Sequence, residues 1–384
     1  METLTFEFPA GAPARGRALA GCVGSGDLEV LLEPAAGGAL SIQVVTSVNG
    51  SGPRWQQLFA RVFAASTAPA ASIRIHDFGA TPGWSACAWS RHWRRLAMTD
   101  VARLLALRSF TELGARQRAR ALLDAGSFRE LLDPFAGVQS PWLERQGIVP
   151  QADDGVVVAR GLLDGQPAVL AAIEGAFQGG SLGEVSGAKI AGALELAAED
   201  NRNGVPTRAL LLLETGGVRL QEANLGLAAI AEIQAAIVDL QRYQPVVAVI
   251  AGPVGCFGGM SIAAGLCSYV LVTREARLGL NGPQVIEQEA GIAEYDSRDR
   301  PFIWSLTGGE QRFASGLADA YLADDLDEVR TSVLAYFAKG LPARPRCRRA
   351  EDYLRRLGDL DTAEQPDAAG VRRLYQGLGQ GDAT

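Results

Sequence analysis

Two apolar runs, RALLLLE at residues 208–214 and PVVAVIAG at 245–252, each lead straight into a loop with paired glycines and then into a helical pattern. The first loop is Thr215-Gly216-Gly217-Val218-Arg219 and the second Gly255-Cys256-Phe257-Gly258-Gly259-Met260. An earlier stretch, Gly179-Gly180-Ser181-Leu182-Gly183, has the same character. Unbroken apolar runs of this length read as strands buried on both faces, and that restricts the surrounding chain to a layered α/β sheet with helical crossovers. A strand that feeds a glycine loop into a helix N-terminus leaves bare backbone N–H groups where an anionic oxygen can sit. Such a loop can build an oxyanion hole with no reactive side chain.

What the chain lacks narrows the chemistry further. His76 and His92 are its two histidines, so the part beyond residue 92 has no Ser-His-Asp triad, His-ligated zinc or histidine general base. Of 36 basic residues only Lys189 and Lys339 are lysines, which leaves few places for a lysine nucleophile and points to G+C-rich coding. Cys22, Cys87, Cys256, Cys267 and Cys347 form neither a CxxC pair nor a zinc spacing, as expected for packed thiols in a reducing compartment without a metal. A net charge of −7 without an extended basic stripe argues against nucleic acid as a partner. With no apolar leader after Met1 and no apolar span of membrane length, the chain reads as cytoplasmic and not membrane-bound.

The 384 residues divide into unlike parts. Residues 1–82 read as a small α+β module, with strands at 28–32, 40–46 and 72–76 and a helix at 53–65 opened by Ser51. Residues 98–340 read as the layered sheet domain. There a helical pattern at 99–124 precedes a hairpin of 156–160 with 168–174 around Asp164-Gly165. Helices at 184–203, 222–242 and 258–266 then alternate with strands at 208–214, 245–251 and 268–273, and a short strand follows at 277–280. Residues 341–384 form a polar helical tail, read as solvated or subunit-facing.

The segment between the two parts fits neither. Residues 83–97, GWSACAWSRHWRRLA, hold three of the six tryptophans beside a histidine, a cysteine and Arg91, Arg94 and Arg95. Back-translated with G/C-rich codons and read one base over, the segment becomes VVRLRLEQALEEIGHD, a well-patterned strand and helix, followed at once by a stop that overlaps the codons of Met98 to Asp100. This atypical linker therefore reads as the scar of a one-base deletion near Pro82-Gly83 that joined two adjacent genes, with Met98 the start of the second.

Three phrases of the larger part, AFQGGSLGEVSGAKI (176–190), ETGGVRLQEA (214–223) and GPVGCFGGMSIAAGLCSY (252–269), are followed by GLNGPQVIEQ (279–288). In this order they resemble the carboxyltransferase branch of the crotonase superfamily, covering most of residues 155–290. No four-cysteine zinc ribbon precedes them and no biotin-bearing Met-Lys-Met occurs, and within the branch they look most like the β subunit of biotin-independent malonate decarboxylase. The opening FPAGAPARGRALAGCVGSGDLEVLLEP resembles the acyl-carrier (δ) subunit of the same family.

The resemblance implies a crotonase-like domain preceded by an acyl-carrier module. It also implies a lyase that decarboxylates a malonyl thioester to an acetyl thioester. By position, Ser25 in Val23-Gly24-Ser25-Gly26-Asp27 is the attachment point of a phosphoribosyl-dephospho-CoA arm, with Ser47 and Ser51 as fallback positions. Biotin and metal are not expected. Implied partners are a γ-type subunit that completes the active site, an α-type acetyl/malonyl transferase subunit, and the enzymes that attach the arm.

Decarboxylation places negative charge on the thioester oxygen, so two preorganised N–H donors are the central requirement. Gly258 and Gly259 are the first expected donors and Gly216 and Gly217 the next, while Gly179 and Gly180 are expected to shape the thioester channel. Arg219 is expected to meet a phosphate or the substrate carboxylate, or else to pair with Glu222. Tyr295, Glu287 and Glu289 are candidates for the acid that protonates the carbanion. Two other readings predict different behaviour. A carboxyltransferase subunit of a biotin-dependent acyl-CoA carboxylase requires biotin and bicarbonate, whereas a non-catalytic scaffold binds acyl thioesters without turnover.

Overall fold

The computed structural model describes residues 1–14, 16–21, 28–63, 68–77, 108–360 and 367–375. The chain divides into two compact units, Met1–Leu107 and Arg108–Thr384.

In the first unit a five-stranded sheet has the order β1-β4-β5-β3-β2, formed by β1 (Glu2–Pro13), β2 (Ala18–Gly21), β3 (Leu28–Pro34), β4 (Ala39–Thr46) and β5 (Ala68–Asp77). Alternate residues of β4 and β5, Leu40, Ile42, Val44, Ile73 and Ile75, lie at 0–1% exposure under Trp55, Leu58 and Phe59 of α1 (Gly52–Phe63). Period-two burial puts one face of the sheet on the helix and leaves the other polar. Ser51 does open α1, but its amide and hydroxyl both turn to the Glu2 carboxylate, at 3.2 and 3.5 Å. A charge at the positive end of the helix thus takes over the role expected of the serine.

Strand β1 escapes sequence reading because Pro9 and Pro13 argue against a strand, although Leu4, Phe6, Phe8 and Ala10 keep the alternation through Pro9. It lies at the edge of the sheet, where a missing N–H is tolerated. Strands β2 and β3 pair antiparallel with Gly21 opposite Glu29. Ser25 belongs to the connection between them and lies outside the described residues, as do residues 83–97 and Met98.

In the second unit a seven-stranded sheet runs β12-β11-β10-β9-β8-β7-β6. Its strands are β6 (Arg129–Leu131), β7 (Val156–Leu163), β8 (Gln166–Ile173), β9 (Arg208–Leu212), β10 (Val246–Ile250), β11 (Tyr269–Thr273) and β12 (Ala320–Leu322). Strands β8 to β12 are parallel, and β6 and β7 close one edge antiparallel. The β7–β8 turn has positive φ at both Asp164 (55°) and Gly165 (70°), as an Asp-Gly hairpin requires.

On one face Ala209, Leu211 and Leu213 pack with α3 (Glu184–Arg202), α4 (Asn224–Leu240) and α5 (Gly259–Leu266). On the other, Leu210 and Leu212 pack with α2 (Ala115–Leu122) and α6 (Leu326–Ala338). Each fully buried Leu or Ile stabilises the unit by roughly 1.5–3 kcal/mol, and burial on both faces is why these strands read as unbroken apolar runs.

Three expectations for this unit need correction or refinement. Helix α2 begins only at Ala115, because residues 109–114 form a turn held by Asp324. Residues 277–280 do not form a regular strand: a single bridge joins Leu278 to Cys256 and another joins Arg277 to Gly308. The described part of the basic tail is anchored at several points, although no residue of 346–358 or 368–374 is buried. Arg346 pairs with Asp319, the Tyr353 hydroxyl donates to the Gly316 carbonyl (2.8 Å), and Arg372 Nε donates to Gln311 Oε1 (2.5 Å).

Asp324 anchors the start of the unit. It accepts the Ser109 and Thr111 hydroxyls (2.6 and 2.8 Å) and the Phe110 and Thr111 amides (both 2.8 Å). Burial works against the charged carboxylate, but these four donors outweigh it and hold the pKa below the usual aspartate value. A depressed folded pKa contributes stability that is present above the unfolded value near 3.9 and is lost as pH falls through the folded value. Asp324→Asn is therefore expected to destabilise the chain at pH 7 by on the order of 1–3 kcal/mol. In thermal melts the gap between variant and parent should narrow below about pH 4; a gap that persists unchanged there would remove the carboxylate charge as its cause.

Candidate active site

The glycine loops all leave the carboxyl ends of parallel strands, the end of an open α/β sheet where ligands bind. They are stitched into a second, smaller layer. Leu182 N–H donates to the Gly217 carbonyl (2.9 Å) and Arg219 N–H to Leu182 (2.8 Å). Thr215 N–H donates to Gly255 (2.8 Å), Phe257 N–H to Thr215 (3.0 Å) and Cys256 N–H to Arg277 (2.8 Å). Four segments from distant parts of the chain thereby hold one another in register.

This stitching decides which amides remain open. Gly216 N–H donates to the Gly179 carbonyl (2.8 Å), Gly217 N–H to Thr215 Oγ1 (3.0 Å), and Gly258 N–H to the Leu280 carbonyl (2.7 Å). Three of the four expected donors are thus engaged inside the protein. Gly259 N–H finds no acceptor among the described residues, and the same holds for Val218 N–H, one residue beyond the Gly216-Gly217 pair. The two open amides belong to touching loops. A Cβ on Gly258 would lie 3.0 Å from Gly217 Cα and 3.6 Å from the Val218 nitrogen.

The other glycines serve close approach. A Cβ on Gly180 would fall 1.9 Å from the Glu214 carbonyl oxygen, so this residue packs the loops together. Gly179 is exposed at the rim and its carbonyl holds Gly216. Glu214 itself was not legible as a site residue. Its carboxylate is wedged where a Cβ on Gly252 would be 1.8 Å from Oε1, and it pairs with Arg118 at 2.5 Å.

Arg219 does not face a ligand. Its side chain is fully buried, with Nη1 donating to Asp154 Oδ1 (2.7 Å) and Glu222 Oε1 (2.8 Å) and Nη2 to the Ser181 carbonyl (3.0 Å). The ion pair with Glu222 is the expectation that holds, extended by Asp154.

The proton-donor candidates separate. Hydrogen bonds from Ser297 hold Glu287 below the usual carboxylate range, so it is ionised at neutral pH and its role is to tie the 291–299 loop. Glu289 is exposed. Burial raises the Tyr295 phenol above its usual value, and its hydroxyl is buried with no partner among the described residues. Burial also pushes the Cys256 thiol up, so the cysteine beside the glycine pair stays protonated and is no nucleophile.

Open backbone N–H groups held in fixed loops are able to stabilise a developing oxyanion without a reactive side chain. A family model described as carboxyl transferase domain matches residues 110–363, and one described as malonate decarboxylase delta subunit (MdcD) matches residues 15–85. The chain belongs to the carboxyl transferase domain family, with a malonate decarboxylase acyl-carrier segment ahead of that domain.

The carrier segment is 99% identical over 83 residues to the malonate decarboxylase acyl carrier protein of Pseudomonas aeruginosa (strain LESB58), a match covering 22% of this chain and 84% of that protein. Malonyl-S-ACP:biotin-protein carboxyltransferase MADC of Malonomonas rubra is 36% identical over 268 residues, 67% of this chain and 82% of that protein. A chain of the Pseudomonas malonate decarboxylase MdcD-MdcE hetero-dimer crystal structure superposes with a TM-score of 0.58 at 88% identity, covering 67% of this chain and 100% of that one. No helix among the described residues is long and apolar enough to cross a membrane.

Proposed function

We propose that this chain carries both the acyl carrier and the decarboxylating domain of a malonate decarboxylase, and that the domain converts a malonyl thioester to an acetyl thioester by stabilising the enolate on backbone amides. The observation that carries this reading is the pair of open N–H groups, Val218 and Gly259, on loops that touch at Gly217 and Gly258. Loss of CO2 leaves an electron pair that delocalises onto the thioester oxygen, and fixed donors there need no reorganisation as the charge forms. No nucleophile takes part. The α-carbon is then protonated, and Tyr295, which keeps its proton, is the best placed of the three candidates by protonation state.

Ser25 is the proposed attachment point of the carrier arm, a phosphoribosyl-dephospho-CoA group that supplies a thiol when bound. Ser25 lies in sequence between β2 and β3, which pair antiparallel with Gly21 opposite Glu29. A γ-type subunit is proposed to complete the site, with an α-type transferase to exchange acetyl for malonyl and dedicated enzymes to attach the arm. The name of the Malonomonas rubra relative favours a second reading, carboxyl transfer to a biotin protein. Co-expression with the γ-type subunit separates the two. CO2 and acetyl thioester released from a malonyl thioester without biotin, bicarbonate or ATP supports the decarboxylase. Turnover only after a biotinylated acceptor is added supports the transferase.

The linker supports the gene-fusion reading. The 83 matched residues are 84% of the Pseudomonas aeruginosa carrier, so about 16 of its residues lie outside the match. The shifted frame across residues 83–97 supplies a segment of that length. Sequencing the locus is expected to show two overlapping reading frames; a single intact frame through Pro82-Gly83 in independent isolates would reject the deletion.

A further inference from the structure

We infer that two buried ion-pair clusters, Arg118 with Glu214 and Arg219 with Asp154 and Glu222, are positioning residues that hold the 215–218 loop by both ends and so fix its open amide. The inference rests on the oxyanion-hole reading above and adds what keeps that hole in place.

Among the ion pairs between described residues, only these have both side chains less than a tenth exposed: 6% and 9% for Arg118 and Glu214, and 0% for Arg219, Asp154 and Glu222. Both clusters border the same short loop, Glu214 directly before Thr215 and Arg219 directly after Val218. Desolvating paired charges rarely stabilises a fold more than well-packed apolar side chains of the same volume. What the pairs add is direction, since a guanidinium fork fixes the angle as well as the distance of its partners.

Each end is tied to something rigid. Arg118 Nη1 meets Glu214 Oε2 at 2.5 Å, while its Nε and Nη2 donate to the Phe110 and Thr111 carbonyls at 3.0 and 2.6 Å. That turn is itself gripped by Asp324. At the other end, the second oxygens of Asp154 and Glu222 accept the Ser186 and Glu184 amides at 2.8 and 2.7 Å. They therefore sit on the positive end of α3, whose 19 residues pack along the sheet.

Arg219 Nη1 and Nη2 are held by Asp154, Glu222 and the Ser181 carbonyl, yet Nε has no acceptor among the described residues. A buried unpaired donor is a cost to stability. Its retention fits a residue placed for geometry. Between the two clusters the amides of Thr215, Gly216 and Gly217 all find internal acceptors, and Val218 alone is left open.

The test uses Arg118→Lys and Arg219→Lys in the co-expressed complex, which keep the charge and lose the fork. Both variants are expected to fold. Amide hydrogen exchange across 214–219 should accelerate by about tenfold or more with the rest of the sheet unchanged. Turnover should fall about 10- to 100-fold in kcat with KM little altered, because a loop displaced by an ångström loses an interaction made in the transition state. Wild-type exchange in both variants overturns the inference, as does faster exchange with kcat intact.

Should the lysine variants not fold, the neutral double variant Arg118→Met with Glu214→Gln removes both charges at similar volume and is read by the same exchange measurement. Loss of folding there too would assign the pairs to stability alone and overturn the positioning role. Exchange judges the clamp whether or not CO2 is released, so failure of the decarboxylase reading shows separately, in the wild-type complex.

Discussion

Gly258→Ala is expected to lower kcat for malonyl-thioester decarboxylation by at least about 100-fold, with the complex still assembled. Gly258 sits at φ 61° and ψ −148°, a region open to glycine and strained by on the order of 1–3 kcal/mol for any other residue. An added methyl would press on Gly217 Cα at 3.0 Å, next to the Val218 nitrogen, which it would meet at an ordinary contact distance of 3.6 Å. Relief requires the two loops to part, and parting them separates the Val218 and Gly259 amides that are proposed to share one oxygen. Losing one such donor costs roughly 10²–10³ in kcat in a well-studied hydrolase, and this substitution disturbs both. Single-turnover CO2 release from a preloaded thioester is the measurement. A rate within about threefold of wild type would mean that the oxyanion is stabilised elsewhere.

Ser25→Ala is expected to abolish turnover of malonate by the assembled complex while leaving decarboxylation of an added malonyl thioester intact. The proposed cycle needs a covalent thiol arm, and a methyl side chain offers no oxygen through which to attach one. Intact-mass analysis of the carrier should show the mass of the added arm on the parent chain and none on the variant. An arm retained on the variant would move the attachment to Ser47 or Ser51. Loss of activity toward the added thioester would mean that Ser25 acts in the decarboxylating site itself.

Much of the larger unit was legible because its signals are local. The strands are apolar and buried at every position over 209–212, 246–250 and 269–272, since helices cover both faces of the sheet. The Asp164-Gly165 hairpin and the helix ending before Gly204 (φ 81°) follow from residues whose backbone preferences are their own. Strand β1 was missed because its prolines lack the N–H of a paired strand, and they are harmless only because of where the strand lies in the sheet. The anchoring of the tail was not legible because an arginine such as Arg346 reads as solvated until Asp319, 27 residues earlier, is seen beside it.

At the site the division runs between residue type and position in space. The sequence by itself determined that no histidine can act beyond residue 92, and its glycine loops after buried strands made backbone N–H groups the first expectation, beside carboxylates, tyrosine, arginine or a cofactor. It could not determine which amides are open, because every non-proline N–H is the same donor and only its acceptor distinguishes it. Those acceptors, Gly179 for Gly216 and Leu280 for Gly258, come from other loops, and only the folded register brings them within 3 Å. The tertiary structure engages the Gly216, Gly217 and Gly258 amides internally, leaves those of Val218 and Gly259 without an acceptor among the described residues, and buries Arg219 against Asp154 and Glu222. Glycines 175, 180 and 252 announced that something approaches closely, and only the fold showed that it is Glu214. A missing Cβ records that space is needed, and the chain packed into that space is chosen by contacts far apart in sequence.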